Sequence, residues 1–219
     1  IRCKVSRVDP ETKDAIVEIG KAQEPLFRSE QIPNETLLPG MLIKVYIAGV
    51  ADAKEGRRGP RVTISRTHPG LVKRLFESEV PEIYDGTVEI KAVSREAGSR
   101  TKIAVYSADE NVDAVGACIG PRGARVGKIV DMLYGEKIDI VKYSEDPKEF
   151  IAASLAPADV VSVTIDENAE KSCRVIVPDL QLSLAIGNKG QNARLAAKLT
   201  GWKIDIKPES GKTDPSVEL

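Results

Sequence analysis

The residues best suited to chemistry in this sequence lie in two short loops 67 residues apart, Gly120-Pro121-Arg122-Gly123 and Gly187-Asn188-Lys189-Gly190. Glycines bracketing two residues allow a sharp turn and let the backbone approach a ligand without a Cβ in the way. Each loop leads into an apolar-periodic stretch that reads as a helix, whose free N–H groups and positive dipole end favour an anion. Basic residues flank both turns: Arg122, Arg125 and Lys128 in the first copy, Lys189, Arg194 and Lys198 in the second. No acidic residue falls between Gly120 and Val130 or between Gly187 and Ile204. The chemistry implied is capture of a sugar-phosphate backbone rather than the making or breaking of bonds. Spacing alone does not establish this, because Gly56-Arg57-Arg58-Gly59 has it too and is followed by Pro60 and a β-branched run. The other two copies share a frame: a helix before, a basic helix after, and Lys-Ile-Asp-Ile at 137–140 and 203–206.

Bulk properties narrow the alternatives. With 42% hydrophobic and 30% charged residues the chain can bury a core, while a net charge of −1 means that local charge must carry any nucleic-acid claim. Aromatic residues make up only 4%, which disfavours a platform of stacked rings. The cysteines, Cys3, Cys118 and Cys173, are far apart and include no CxxC, so neither a disulfide framework nor a zinc site is expected, and a reducing cytoplasm fits. No metal, cofactor or catalytic residue is expected: no Walker loop, HExxH or nucleophile–base pair is visible, and His68, before Pro69, reads as a helix-start residue. No stretch is long enough for a membrane span. The chain opens on Ile1, not Met, which reads as a piece of a longer protein.

The elements that must position the loops follow in order. Residues 1–67 read as about five short strands without a helical pattern: Ile1–Val5, Ala15–Gly20, a segment at Leu26–Arg28, Leu42–Ala48 and Arg61–Ser65, an all-β barrel of the OB type. Lys54–Arg61 reads as a basic loop, either a solvated hairpin tip or a finger that touches phosphate. From His68 the order is helix (Leu71, Val72, Leu75, Phe76, Val80), strand (86–93), strand (100–106), helix (109–119), loop, helix (Val126, Ile129, Val130, Leu133) and strand (137–141). A second round follows from Asp146, with strands at Asp159–Ile165 and Ser172–Val177 and a closing strand at 202–206. Leu180–Ile186 alternates like a strand, but the repeat and Pro178-Asp179 make it a helix burying Leu182, Ala185 and Ile186. The expected domains are 1–67, 68–143 and 144–208, with 209–219 a disordered tail. Asp139 and Asp205 read as structural or solubilising residues, not catalytic ones.

Gly20, Ser29-Glu30 and Pro39-Gly40-Met41-Leu42-Ile43-Lys44-Val45 resemble the S1 domain pattern, with Phe27 and Tyr46 the only aromatic residues placed to meet RNA. The paired loops and their frame are similar to KH domains of the prokaryotic type, whose GXXG loop clamps about four nucleotides of single strand. In such a fold the base groove would draw on Ile138 to Val141 and Ile204 to Ile206, with Ile138, Ile140 and Ile204 among the candidates and half of the side chains in these runs facing the core instead, and with Gln191 and Asn192 beside the second loop. The S1-then-KH-then-KH order, with Ser65-Arg66-Thr67-His68-Pro69, Val80-Pro81-Glu82-Ile83-Tyr84-Asp85-Gly86, Val115–Gly120, Gly135–Val141 and Gln191–Ala197, resembles the NusA family of bacterial transcription factors over residues 1–208. That resemblance implies single-stranded RNA in the nascent transcript, RNA polymerase and other Nus antitermination factors as partners, and a monomer that modulates pausing, termination and antitermination. The family's N-terminal polymerase-binding domain has no counterpart in this sequence. Asn188 stands where the family often has a basic residue, which implies a weaker phosphate grip at the second loop. The competing readings are a scaffold or RNA-processing accessory acting mainly through protein partners, and a phosphorolytic exoribonuclease. The domain order argues against the latter, because in those enzymes large catalytic domains precede a KH-then-S1 tail.

Overall fold

The structure is a computed structural model that describes residues 1–52 and 60–211. The Lys54–Arg61 loop lies outside the described residues except for Pro60 and Arg61, as do residues 212–219. In the first region β1 (Arg2–Val8) and β2 (Ala15–Ile19) pair antiparallel across a turn that Asp9 closes by accepting from the N–H groups of Glu11 and Thr12. Those bonds hold its carboxyl below the ordinary carboxylate value. Gly20, at φ 61°, turns the chain into β3 (Ala22–Leu26), which the sequence pattern hides because Pro25 lies within it. Its place at the sheet edge explains how a strand tolerates proline.

The single strand expected over 42–48 is two. β4 (Leu42–Lys44) pairs with β1, β5 (Tyr46–Ala51) pairs with β6 (Arg61–Ser65), and Val45 between them exchanges backbone hydrogen bonds with Ile1. Among the described residues the six strands form a four-stranded sheet, β3-β2-β1-β4, and a separate β5-β6 ladder, and no ladder closes them into one barrel. Both sheets bury side chains in one core that includes Val5, Val17, Leu26, Val45 and Ile64.

The next two units share a plan. The first has α1 (Pro69–Glu79), α2 (Pro81–Tyr84), β7 (Glu89–Glu96), β8 (Arg100–Tyr106), α3 (Ala114–Ile119), α4 (Ala124–Met132) and β9 (Lys137–Lys142). The second has α5 (Pro147–Ser154), β10 (Ser162–Ile165), β11 (Ser172–Val177), α6 (Leu182–Ile186), α7 (Gln191–Thr200) and β12 (Lys203–Pro208). In each sheet an antiparallel pair is extended by a parallel third strand, β7-β8-β9 and β10-β11-β12. A parallel neighbour needs a crossover, and the helix–loop–helix containing each GxxG supplies it.

One helix start differs from the sequence pattern because a capping side chain sets it. α3 begins at Ala114, not near Asp109, since Asp113 accepts from the Gly116 N–H. His68 caps α1 by accepting from the Gly70 N–H, as its position before Pro69 implied. In the stretch 180–186 the helix itself is Leu182–Ile186, entered by a short 3₁₀ turn at Asp179–Gln181, with Ala185 fully buried and Leu182 and Ile186 half-buried. β10 starts at Ser162 rather than Asp159. Glu209 and Ser210, expected in the tail, donate to the Val177 carbonyl and the Asp179 carboxylate.

The β7-β8-β9 sheet is covered on both faces. Ile103 and Val105 face the cluster of α1, α3 and α4, whereas Ala104 and Val141 pack with Phe150 of α5 and Leu199 of α7. At the other end one buried arginine ties the first region to the second, and another braces the junction from within the second. Arg66 pairs with Glu35 at 2.7 Å and donates to the Lys44 and Met132 carbonyls, while Arg95 pairs with Glu136 at 3.1 Å and donates to the His68 carbonyl.

Candidate nucleic-acid interface

The two GxxG loops have nearly the same backbone. Gly120 lies at φ 74°, ψ 172° and Gly187 at φ 80°, ψ 171°. The third residue of each loop, Arg122 at φ 53°, ψ 29° and Lys189 at φ 52°, ψ 33°, is left-handed, as are Gly123 and Gly190. Each turn is closed by the last glycine's N–H donating to the first glycine's carbonyl at 3.1 Å. The first glycine also permits close packing: a Cβ on Gly120 would meet the Arg125 side chain at 2.6 Å, and one on Gly187 the Asn192 backbone nitrogen at 2.7 Å.

α4 and α7 begin directly after the loops with no acidic residue in the first turn, so their dipoles are left for an external anion. Arg122 and Lys189 stand at equivalent places on the exposed tips with Pro121 and Asn188. Among the described residues neither basic side chain has a hydrogen-bond or ion-pair partner. The other expected phosphate ligands are engaged. Arg125 pairs with Glu82 at 2.8 Å and donates to the Ala117 carbonyl, and Lys128 pairs with Glu79 at 2.6 Å. Arg194 pairs with Glu96 at 2.6 Å, and Gln191 donates to Glu96 and Ser99. Lys198 is exposed and lies in the field of the same Glu96. Asn192 is 1% exposed and its amide holds the Leu155 and Ala185 carbonyls, so it braces the second loop from beneath. No local pattern pointed to these acids, because Glu79, Glu82 and Glu96 come from elements outside the loops.

The strands after the loops resolve which side chains can line a groove. Ile138 and Ile140 are half-buried against the core under α3 and α4, and Ile204 and Ile206 are placed likewise in the second unit, leaving part of each side chain accessible. Asp139 and Val141 face the other way, toward α5 and α7, and Asp139 binds Lys102 and Arg100. Asp205 pairs with Arg174 and Lys207. In the first region Phe27 is 45% exposed, whereas Tyr46 is stacked on His68 with ring centroids 4.5 Å apart and forms part of a junction. The cysteines are all buried and unpaired; burial pushes the Cys118 thiol up to about 12 and that of Cys173 up to about 11, which makes them inert. Among the described residues no group of acids, histidines and cysteines could hold a metal, and no helix is long and apolar enough to cross a membrane.

A helix–GxxG–helix crossover joining a parallel strand pair, repeated with the same loop torsions, defines a tandem of KH units. Comparison with known families agrees: residues 66–143 match the NusA-like first KH domain and residues 147–214 the NusA-like second KH domain. The chain is 61% identical to the transcription termination/antitermination protein NusA of Halalkalibacterium halodurans over 89% of its own length and 50% of that protein. It is 58% identical to the Bacillus subtilis protein of that name over 94% of the chain and 54% of that protein, and 49% identical to the Thermus thermophilus one over 91% and 50%. The chain belongs to the NusA family, and it spans about half the length of these relatives.

Proposed function

We propose that this chain is the RNA-binding region of a NusA-type transcription factor, and that its two GxxG loops hold one single strand of RNA in the nascent transcript. The observation that carries this reading is the matched pair of loop tips: two basic residues in the same left-handed conformation, unpartnered, each ahead of a helix without acid in its first turn. Phosphates are gripped by Arg122 and Lys189 with the loop backbones of Gly120–Gly123 and Gly187–Gly190, and bases lie over the grooves edged by Ile138, Ile140 and Ile204. Arg125, Lys128, Gln191, Asn192 and Arg194 act mainly by shaping the loops. The first 67 residues serve as an S1 domain of OB type, a reading supported by the six short strands around one core and by the S1-like glycine, Ser-Glu and Pro-Gly pattern. The relatives' name supports a role in transcription termination and antitermination. The same reading carries RNA polymerase and other Nus factors as partners, a cytoplasmic setting, and a chain that acts as a monomer.

The test is a salt-dependent titration with single-stranded RNA selected from a random pool. Arg122→Asp and Lys189→Asp each weaken binding and lower the salt slope by about one, with the larger loss at the first loop. Unchanged affinity in the double variant would reject the clamp and favour a scaffold that works through proteins.

A further inference from the structure

We propose that Glu96, in the β7–β8 hairpin of the first KH unit, is a positioning residue for the second GxxG loop and acts on it through Arg194. This rests on the RNA-clamp reading above and adds to it that the second clamp is completed by the first unit. The contact runs as a short chain of hydrogen bonds. One Glu96 carboxylate oxygen accepts from Arg194 Nε at 2.6 Å and the other from Gln191 Nε2 at 2.7 Å. Gln191 also donates to Ser99 Oγ at 2.7 Å, so both ends of the hairpin turn grip the first two turns of α7. Arg194 then uses Nη1 to hold the Lys189 carbonyl at 3.0 Å. Lys189 is the residue whose left-handed backbone, costly for any side chain with a Cβ, aims the second loop's only charge.

The first loop has no such device. Gly127 occupies the place that Arg194 holds 67 residues later, and the first loop is braced within its own unit by Arg125 on Glu82 and the Ala117 carbonyl. The two clamps are therefore built differently: the first is self-contained and the second depends on its neighbour. The mutual stabilisation of the ion pair also shows in the Glu96 carboxyl, held below the usual value first of all by the Arg194 hydrogen bond.

The sign of a single substitution separates this role from simple electrostatics. Glu96 is an acid beside a proposed RNA path, so if it only repelled phosphate its removal would tighten binding. As a positioning residue its removal frees Arg194 and loosens Lys189, and binding weakens. In the full chain, titrated with a single-stranded RNA of about twelve nucleotides enriched from a random pool, Glu96→Ala is expected to weaken binding roughly three- to tenfold, as the loss of a partly exposed charge-assisted contact. The salt slope stays the same, because Glu96 itself releases no counterion, and hydroxyl-radical protection fades at the nucleotides nearest the second loop while persisting at the first. Arg194→Ala gives a similar loss, and the double variant is no worse than either single one, the non-additivity of residues acting through one contact. Glu96→Gln, which keeps an acceptor, lies between the two and provides the reading if Glu96→Ala lowers the melting temperature. Equal or tighter binding in Glu96→Ala and Glu96→Gln, or additive losses in the double variant, would overturn the positioning role while leaving the clamps intact. Unaltered binding in the Arg122→Asp, Lys189→Asp chain would instead remove the RNA reading and this inference with it.

Discussion

At the scale of single residues, the glycines of the loops are not interchangeable, because each is glycine for a different reason. Gly120 and Gly187 lie where φ is positive and ψ is near 170°, a region essentially closed to side chains, and each also has a neighbour closer than 3 Å to where a Cβ would stand. Gly123 is ordinary left-handed backbone with nothing within 4 Å. Gly187→Ala is therefore expected to cost about 3 kcal/mol, since backbone strain adds to a collision with an immobile helix backbone. Gly123→Asn should cost less than about 1 kcal/mol, because asparagine tolerates that conformation. Urea denaturation of the two variants checks the order, and equal losses would contradict it. The buried thiols give a second test. Burial holds Cys118 protonated up to about 12, whereas an unfolded thiol ionises near 9.0, so above pH 9 the unfolded chain binds fewer protons and stability falls as pH rises. By pH 10.5 that group alone removes about 2 kcal/mol. The Cys118→Ala chain should show a correspondingly flatter alkaline decline in denaturant midpoints between pH 9 and 10.5.

At the scale of elements, the sequence displayed whatever depends on local periodicity or capping and concealed whatever depends on a distant partner. α1 was visible because Leu71, Val72, Leu75 and Phe76 share one face and His68-Pro69 starts it. β8 and β11 fall on the residues expected from the β-branched runs, and both loops were located by their frame. The break at Val45 was invisible, since Leu42 to Ala48 is uniformly strand-like and only the pairing with Ile1 divides it. α6 shows the opposite case: the alternation of its stretch argues for a strand, and only comparison with the first unit exposes a helix whose Leu184 side chain, like Leu180 in the turn before it, remains outside the core. The roles of Arg125, Lys128 and Arg194 were legible only in part. Their charge was plain, but the acids that hold them sit 43, 49 and 98 residues away. The same long reach governs the β8–β9 ladder, where Lys102 and Asp139 are register partners and the fully buried ammonium also donates to the Ala156 carbonyl of the next unit. Asp139→Ala leaves that charge without its counter-ion and should destabilise the chain by about 3 kcal/mol, whereas Lys102→Met with Asp139→Leu should recover most of the loss. Guanidinium denaturation of the three chains decides it, and a double variant no better than Asp139→Ala would refute the account.

For the whole molecule, the question is whether three units behave as one body. Interfaces between domains of a chain generally resemble transient contacts, so relative motion is the default. Here both junctions contain buried groups. Between the second and third units a small apolar cluster is shared by β8, β9, α5 and α7, and the Lys102 bond crosses it. Between the first and second, Arg66 is 3% exposed and binds Glu35 of the first region, the Lys44 carbonyl and the Met132 carbonyl at the end of α4, while His68 stacks on Tyr46 and its carbonyl is held by Arg95. An arginine that satisfies an acid on one side and a helix end on the other costs more to remove than a surface ion pair, because Glu35, itself 3% exposed, would be left charged and unpaired. Arg66→Ala should destabilise the first region by about 3 to 5 kcal/mol. It should also weaken that region's hold on the KH pair, whose remaining links include the Tyr46–His68 stack, Asn34 donating to the Tyr134 carbonyl, Lys44 pairing with Glu79, and Ile32 buried in the core of the first KH unit. Differential scanning calorimetry is the measurement. The unaltered chain is expected to melt in a single transition whose calorimetric and van't Hoff enthalpies agree. Arg66→Ala is expected to split it, with a low-temperature step from the strands before residue 66 and a later one at nearly the original temperature from the KH units. A single, uniformly shifted peak would mean that the junction is held by its apolar contacts and that Arg66 contributes only stability.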